Sequence, residues 1–384
     1  MLPDQHLLRI PGPSPIPPSV QSAMSQPMVG HRGQEAKELI KQIKPKLKSV
    51  FGTKQEISII TASGTAGLEA AVVNAVQADE EVLVVQTGAF GERFAKICAA
   101  CQLKTHQLKI DWGKEVTPEA VKEFLEKHQN IKAVFITYCE TSTGVLNPIE
   151  EIARVVHTHS DALVIADGVS CVGSVKTEMD EWGIDILVTG SQKAMMLPAG
   201  LTFIAVSERA WDIIEKNEQP RFYLDLKKYR DNLLKDSTPF TPAISLLFGL
   251  KQVLDLMNTE GLEEIYKRHQ LMMKMTREAF RALQIPLLAN DNAASPTVTA
   301  VNPTDFNAED LRSVLKKEFG LSIAGGQQHL KGKIFRIGHM GYCSPADILQ
   351  TISIIEIGLT RIGMTIELGK GIKTAQEVYI GGEK

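Results

Sequence analysis

Lys193 stands at the end of Thr189-Gly-Ser-Gln-Lys193, after the apolar run Ile184-Asp-Ile-Leu-Val188 and before Ala199-Gly-Leu-Thr-Phe-Ile-Ala205. A lysine at the mouth of a parallel sheet loses water around its ammonium, so its pKa drops and it becomes an amine nucleophile. Upstream, Asp167 ends a second buried-looking strand, Ala162-Leu-Val-Ile-Ala166, and Ser63-Gly64-Thr65 opens a helix directly after Glu56-Ile-Ser-Ile-Ile-Thr61. An amine that condenses with an aldehyde, a carboxylate that keeps a pyridine nitrogen protonated and a helix start that holds a phosphate ester together describe a pyridoxal phosphate site. Each signal alone is weak. Their order, each at a strand end, carries the reading.

Each segment has a plainer competitor. Small residues and free N–H groups at Ser63-Gly64-Thr65 suit a phosphate, but Ser63 or Thr65 equally suits an ordinary N-cap. Asp167 can cap the next helix instead of facing a ring. Phe90, in Thr87-Gly-Ala-Phe-Gly91, can lie flat on a cofactor or belong to the core. The chain has no Gly-x-Gly-x-x-Gly and no Gly-Lys-Ser/Thr to suggest a dinucleotide or nucleotide site.

The elements that must position these residues alternate. Strand-like runs at Ile57–Thr61, Val82–Gln86, Ala133–Tyr138, Leu163–Asp167, Ile184–Thr189 and Leu201–Val206 are separated by helix candidates starting near Gly64, Phe90, Thr117, Pro148 and Ser170. This rhythm predicts an α/β fold with a mostly parallel sheet covered on both faces, whose ligands gather at the carboxyl ends of the strands. The proline-rich opening (Pro11 to Pro18) reads as an extended arm, residues 1–20. A large domain follows to residue 255. Long helices (Pro242–Asn258, Leu262–Leu283) lead into a smaller α+β domain, 256–384, with strands near Thr297–Ala300 and Lys333–Ile337 and helices at Ala308–Glu318 and Pro345–Ile362.

Bulk properties fit an enzyme of this size. At 384 residues and 43% hydrophobic content there is enough chain for two cores, and a net charge of -3 gives no reason to expect nucleic acid or an anionic membrane as partner. No apolar stretch reaches the length of a membrane span, and the first residues lack a signal-like pattern, so a cytoplasmic protein is expected. Five scattered cysteines make no disulfide framework. Cys98-x-x-Cys101 falls late in a helical segment and reads as structural, His157 and His159 read as surface residues, and no metal site is expected.

These residues resemble the class-V, fold-type-I pyridoxal phosphate aminotransferases, within them the alanine–glyoxylate and serine–pyruvate group. The segments that carry the likeness are Pro11-Gly-Pro-Ser-Pro, Gly30-His-Arg, Ser63-Gly-Thr-Ala-Gly-Leu-Glu-Ala, Glu140-Thr-Ser-Thr-Gly-Val-Leu, Ala166-Asp-Gly-Val-Ser, Gly190-Ser-Gln-Lys and Phe335-Arg-Ile-Gly-His-Met-Gly. The resemblance implies a seven-stranded type of sheet and a covalent link from Lys193 to the cofactor's aldehyde, with Asp167 at the ring nitrogen. It also implies Phe90 stacked on the ring, where family members often carry tryptophan, and Thr141 beside it. Ser63, Gly64, Thr65 and Gln192 would surround the phosphate, completed by Thr238 and Thr241 from a second subunit. Arg336 would grip the substrate carboxylate, and His31 and Arg32 would lie on an arm near a site.

The expected activity is transamination from a small L-amino acid, alanine or serine, to glyoxylate or pyruvate by a homodimer. A class-V lyase of the cysteine desulfurase kind would stack histidine on the ring and need a mobile cysteine, for which Cys343 is the loosely placed candidate. Ureidoglycine–glyoxylate transamination calls for a carboxamide side chain in the Gly30-His-Arg segment. A non-catalytic subunit of a larger complex has no use for the lysine, aspartate and arginine together. Because Arg336 is the one arginine assigned to a carboxylate, and Arg32 the nearest second cation, small donors are expected over aspartate and glutamate.

Overall fold

The computed structural model describes residues 6–382. Its central sheet has seven strands in the order Ile57–Ile60, Thr202–Val206, Ile186–Gly190, Leu163–Asp167, Ile131–Thr137, Glu81–Gln86, Lys104–Lys109. Neighbours run parallel except at Thr202–Val206, which is antiparallel to both of its partners. Alternate residues of one strand enter different cores: Leu83 and Val85 one, Val82 and Val84 the other. Period-two side chains, all apolar, are what a sheet covered on both faces requires.

A third core, built around Met272, Phe280, Phe335, Ile337 and Ile352, belongs to the C-terminal elements. Here Val298–Val301, Phe335–Gly338 and Ala324–Gly325 form a small antiparallel sheet backed by Ala308–Phe319 and Pro345–Arg361. Residue 256 lies inside the helix Ile244–Glu260, which packs on the first core through Leu247, Leu250 and Leu254. The following helix, Leu262–Ala282, carries Met272, Met275 and Phe280 into the third.

Several expectations need correction. Lys104–Lys109 is an additional strand at the sheet edge; its half-exposed, polar alternation hides it from an apolar pattern. No helix starts at Ser170: residues 169–175 form turns closed by a bridge between Val172 and Val175, with Gly173 at φ 94°, ahead of the short helix Met179–Trp182. Pro18 does not extend the arm but starts the helix Pro18–Met24, where a missing N–H costs nothing. The first five residues of the expected arm lie outside the described residues. The remainder pairs Leu7–Leu8 with Leu321–Ser322 and ties Arg9 to Asp347. Among the described residues no helix is long and apolar enough to cross a membrane.

Candidate active site

Asp167 is the last residue of its strand, and Lys193 follows Ile186–Gly190 by three residues. Both therefore emerge at the carboxyl edge of adjacent parallel strands. The lysine loop is held tightly. Ser14 of the arm donates its Oγ to the Lys193 carbonyl at 2.7 Å, and its N–H to the Gln192 carbonyl at 3.0 Å. Lys193 Nζ donates to the Pro11 carbonyl. Gly12 sits against the lysine with φ 99°, a left-handed backbone conformation that favours glycine.

Burial sets the charge states. Lys193 is 8% exposed, and loss of hydration lowers its pKa to about 8, with the Arg336 cation pushing the same way. Asp167 is raised by burial to about 6, against the opposing pull of the Val169 N–H (3.0 Å to Oδ1) and of Lys193. Burial thus moves the titration of both groups toward neutral pH, where each still carries most of its charge.

Arg336 comes from the small sheet, between Ala300 and Ala324 across its ladders. Its Nε and Nη2 donate to the Gly325 carbonyl at 2.9 and 2.8 Å, and Nη1 to the Thr141 carbonyl at 2.9 Å. A guanidinium has five donors, so one N–H on each terminal nitrogen is left to donate to a carboxylate. Burial lowers Arg336 to about 10, which leaves it cationic at neutral pH.

Lys193, Arg336, Phe90 and Thr141 line one cavity of about 410 Å³, closed on one side by Pro11 and Gly12. Asp167, Ser63, Gly64, Thr65 and Gln192 are not among its lining residues, yet the groups they carry fit pyridoxal phosphate. Ser63 caps the helix Gly64–Ala75 through Ala66 N–H, while the Gly64 and Thr65 amides have no acceptor among the described residues. Gln192 lies beside them, and its carboxamide N–H₂, rather than the acceptor oxygen that is buried without a partner, is the group that can donate to a phosphate. Gly190, Gln192 and Gly64 converge: a Cβ on Gly190 would meet Gln192 Oε1 at 3.0 Å and Gly64 Cα at 3.5 Å. Ser63 therefore acts as the cap that one reading foresaw, and its neighbours stay open for an anion.

Other expected residues lie elsewhere in this protomer. Arg32 donates to Ser237 Oγ (3.0 Å) and to the Thr238 and Pro239 carbonyls (3.2 Å for Pro239). Neither it nor His31 lines the cavity, nor do Thr238, whose Oγ1 donates to the Phe240 carbonyl at 2.7 Å, and the exposed Thr241. Two cations absent from the expectations do line it: Arg312, ion-paired with Glu309, and the exposed Lys316. Arg93 does not line the cavity but lies 4.7 Å over the Phe90 ring. In sequence Arg312 and Lys316 sit on a solvated helix face, and only the packing of the C-terminal elements turns that face to the cavity.

Cys343 is buried and its thiol is pushed up to about 11 by burial, unlike a mobile nucleophile. Cys98 is buried on the helix Ala89–Ala100 and Cys101 caps its end, both as free thiols.

The family model for aminotransferase class-V matches residues 10–348. Among curated proteins, the chain is 43% identical to a soluble hydrogenase small subunit of Synechococcus sp. (strain PCC 6716), over 98% of each chain. It is 34% identical to the serine–glyoxylate aminotransferase of Hyphomicrobium methylovorum, covering 97% of this chain and 94% of the other. The L-aspartate–glyoxylate aminotransferase of Paracoccus denitrificans is 32% identical, covering 98% and 96%. Among solved structures, pyridoxamine–pyruvate aminotransferase from Mesorhizobium loti superposes with a TM-score of 0.94 at 29% identity, over 98% of each chain.

Proposed function

The chain belongs to the class-V aminotransferases, and on that premise we propose that it moves an amino group from a small L-amino acid, alanine or serine, to glyoxylate or pyruvate. It is a pyridoxal phosphate enzyme of the fold-type-I class. We infer a cytoplasmic homodimer, in which Thr238 and Thr241 of one subunit reach the phosphate of the other. The hydroxyl-rich segment Asp236-Ser-Thr-Pro-Phe-Thr-Pro242 supports this, lying away from the Lys193 cavity of its own protomer.

The convergence of Lys193 and Arg336 on one cavity, with Asp167 one strand away, carries the reading. Bound cofactor supplies an aldehyde to condense with amines and a ring that accepts electrons when its nitrogen is protonated. Lys193, its amine partly neutral at pH 7–8, holds the cofactor. Once displaced by substrate, the same amine would serve as the base that takes the proton from the substrate Cα and as the acid that gives it back. Asp167, sealed from water, keeps the ring nitrogen protonated; an opposite charge there offsets the desolvation of its carboxylate. Gly64 and Thr65 amides, with Gln192, hold the phosphate. Phe90 stacks on the ring and Thr141 lies beside it. Arg336 takes the α-carboxylate through its two remaining N–H groups, which fixes the Cα–H bond relative to Lys193.

Small donors fit because Glu309 neutralises Arg312 and Lys316 is solvated. Leaving a distal carboxylate unpaired in a closed site costs on the order of 2–4 kcal/mol. The test compares kcat/KM for alanine, serine, aspartate and glutamate with glyoxylate as acceptor. Alanine or serine should lead by roughly tenfold or more. If aspartate or glutamate leads, Lys316 or Arg312 reads the distal carboxylate and the donor assignment is wrong.

A further inference from the structure

Glu140 is a buried acid that the transfer chemistry above does not use. It is 0% exposed, and its carboxylate collects donors only. Oε2 accepts from the Phe90 N–H at 3.0 Å and the Gly91 N–H at 3.1 Å. Oε1 accepts from the Ser142 N–H at 3.1 Å and the Ser142 Oγ at 2.5 Å. Three of these partners are backbone N–H groups that can only donate, and a protonated carboxyl could place its O–H only on the Ser142 hydroxyl, so the arrangement favours the carboxylate. Burial pushes its pKa up, and the Ser142 and Gly91 donors pull it back.

Two of those donors are first-turn amides of the helix Ala89–Ala100, whose N-cap position is Gly88. Gly88 has no side chain to cap with, and none fits: a Cβ there would lie 2.4 Å from Ser142 Oγ and 2.5 Å from Glu140 Cγ. Capping is therefore done from another segment, by the Glu140 carboxylate at the positive end of the helix and by Ser142 Oγ, which accepts from the Ala89 N–H at 3.0 Å. The residue so fixed is Phe90. The next residue after Glu140 is Thr141, whose carbonyl accepts from Arg336 Nη1 at 2.9 Å and whose hydroxyl pairs with Ser170 Oγ. One dipeptide thus joins the helix bearing Phe90, the arginine of the small sheet and the turn after Asp167.

Resting on the functional reading above, we propose that Glu140 is a positioning residue whose buried carboxylate sets Phe90 against the cofactor ring and, through the Thr141 carbonyl, holds Arg336 in register for the substrate carboxylate.

The experiment titrates cofactor-free protein with pyridoxal phosphate, reading the dissociation constant and the visible circular dichroism of the bound cofactor. Glu140→Gln keeps the shape but turns an amide N–H₂ toward amide donors. It should weaken cofactor binding by about tenfold, diminish the circular dichroism band and raise KM for glyoxylate more than it lowers kcat. Ser142→Ala removes one of the four donors and should move the same readings the same way by a smaller factor, about threefold; it also decides the matter if Glu140→Gln does not fold. Glu140→Asp should recover part of the loss. In a Phe90→Leu background, Glu140→Gln should weaken binding less than about twofold further, since its route through Phe90 is already cut. Wild-type affinity and circular dichroism in both Glu140→Gln and Ser142→Ala, with only a lowered melting temperature, would overturn the proposal. So would full multiplication of the Glu140→Gln and Phe90→Leu effects. A wild-type protein that binds no cofactor would instead overturn the function on which the proposal rests.

Discussion

Lys193 should capture cofactor at neutral pH far faster than an ordinary lysine. Burial brings its pKa from 10.5 to about 8. At pH 7.5 roughly a quarter of the side chains are then neutral, against about one in a thousand at the ordinary value, a gain of about two hundredfold in reactive amine. A less basic amine is also a weaker nucleophile. If the trade resembles that known for thiols, it takes back about a factor of ten, which leaves a net advantage on the order of tenfold. The assay is stopped-flow mixing of cofactor-free protein with pyridoxal phosphate between pH 6.5 and 10, with Lys193→Ala as the blank. The capture rate should rise with a midpoint near pH 8 and level off above it. Arg336→Gln should move the midpoint upward, because the Arg336 cation adds to the lowering. A rate that still climbs past about pH 9.5 would show a hydrated lysine and refute the burial argument.

Asp167→Asn should retain cofactor yet lose most turnover, since an amide cannot hold the ring nitrogen protonated; near-normal turnover would reduce Asp167 to a cap. Its folded pKa is raised from 3.8 to about 6, so the wild-type, cofactor-free fold binds more protons than the unfolded chain in that window and loses stability as pH rises through it. Cofactor-free Asp167→Asn should accordingly melt higher than wild type at pH 8, by an amount that vanishes below about pH 4; calorimetry at the two pH values checks this. Arg336→Lys should raise KM for glyoxylate roughly tenfold to a hundredfold, because an ammonium cannot make the paired contact and also serve the Gly325 and Thr141 carbonyls; steady-state kinetics with an unchanged KM would remove Arg336 from the carboxylate. Sedimentation should find a dimer at assay concentration, and an active monomer would exclude the shared phosphate site.

The parallel core was legible because its strands are short apolar runs with a polar or glycine residue at each carboxyl end. Asp167, Lys193 and Gly64 could be placed at those ends before any packing was known. Lys104–Lys109 escaped because an edge strand paired on one side keeps polar, half-exposed residues. The turn series after Gly168 escaped because Val172 and Val175 look like one apolar face of a helix, whereas they bury themselves from turns. Contacts between distant segments leave no local pattern. Pro11 and Gly12 against Lys193, and Arg312 and Lys316 at the cavity, depend on where the arm and the C-terminal elements pack, and Glu140 against the Phe90 amide depends on how residues 139–142 meet the helix Ala89–Ala100.

Borohydride reduction of the purified, cofactor-loaded protein, followed by peptide mass mapping, tests the central assignment most directly. The account predicts one reduced adduct per chain, on the peptide that contains Lys193, and none in Lys193→Ala. An adduct on another lysine, or one that persists in Lys193→Ala, would contradict it.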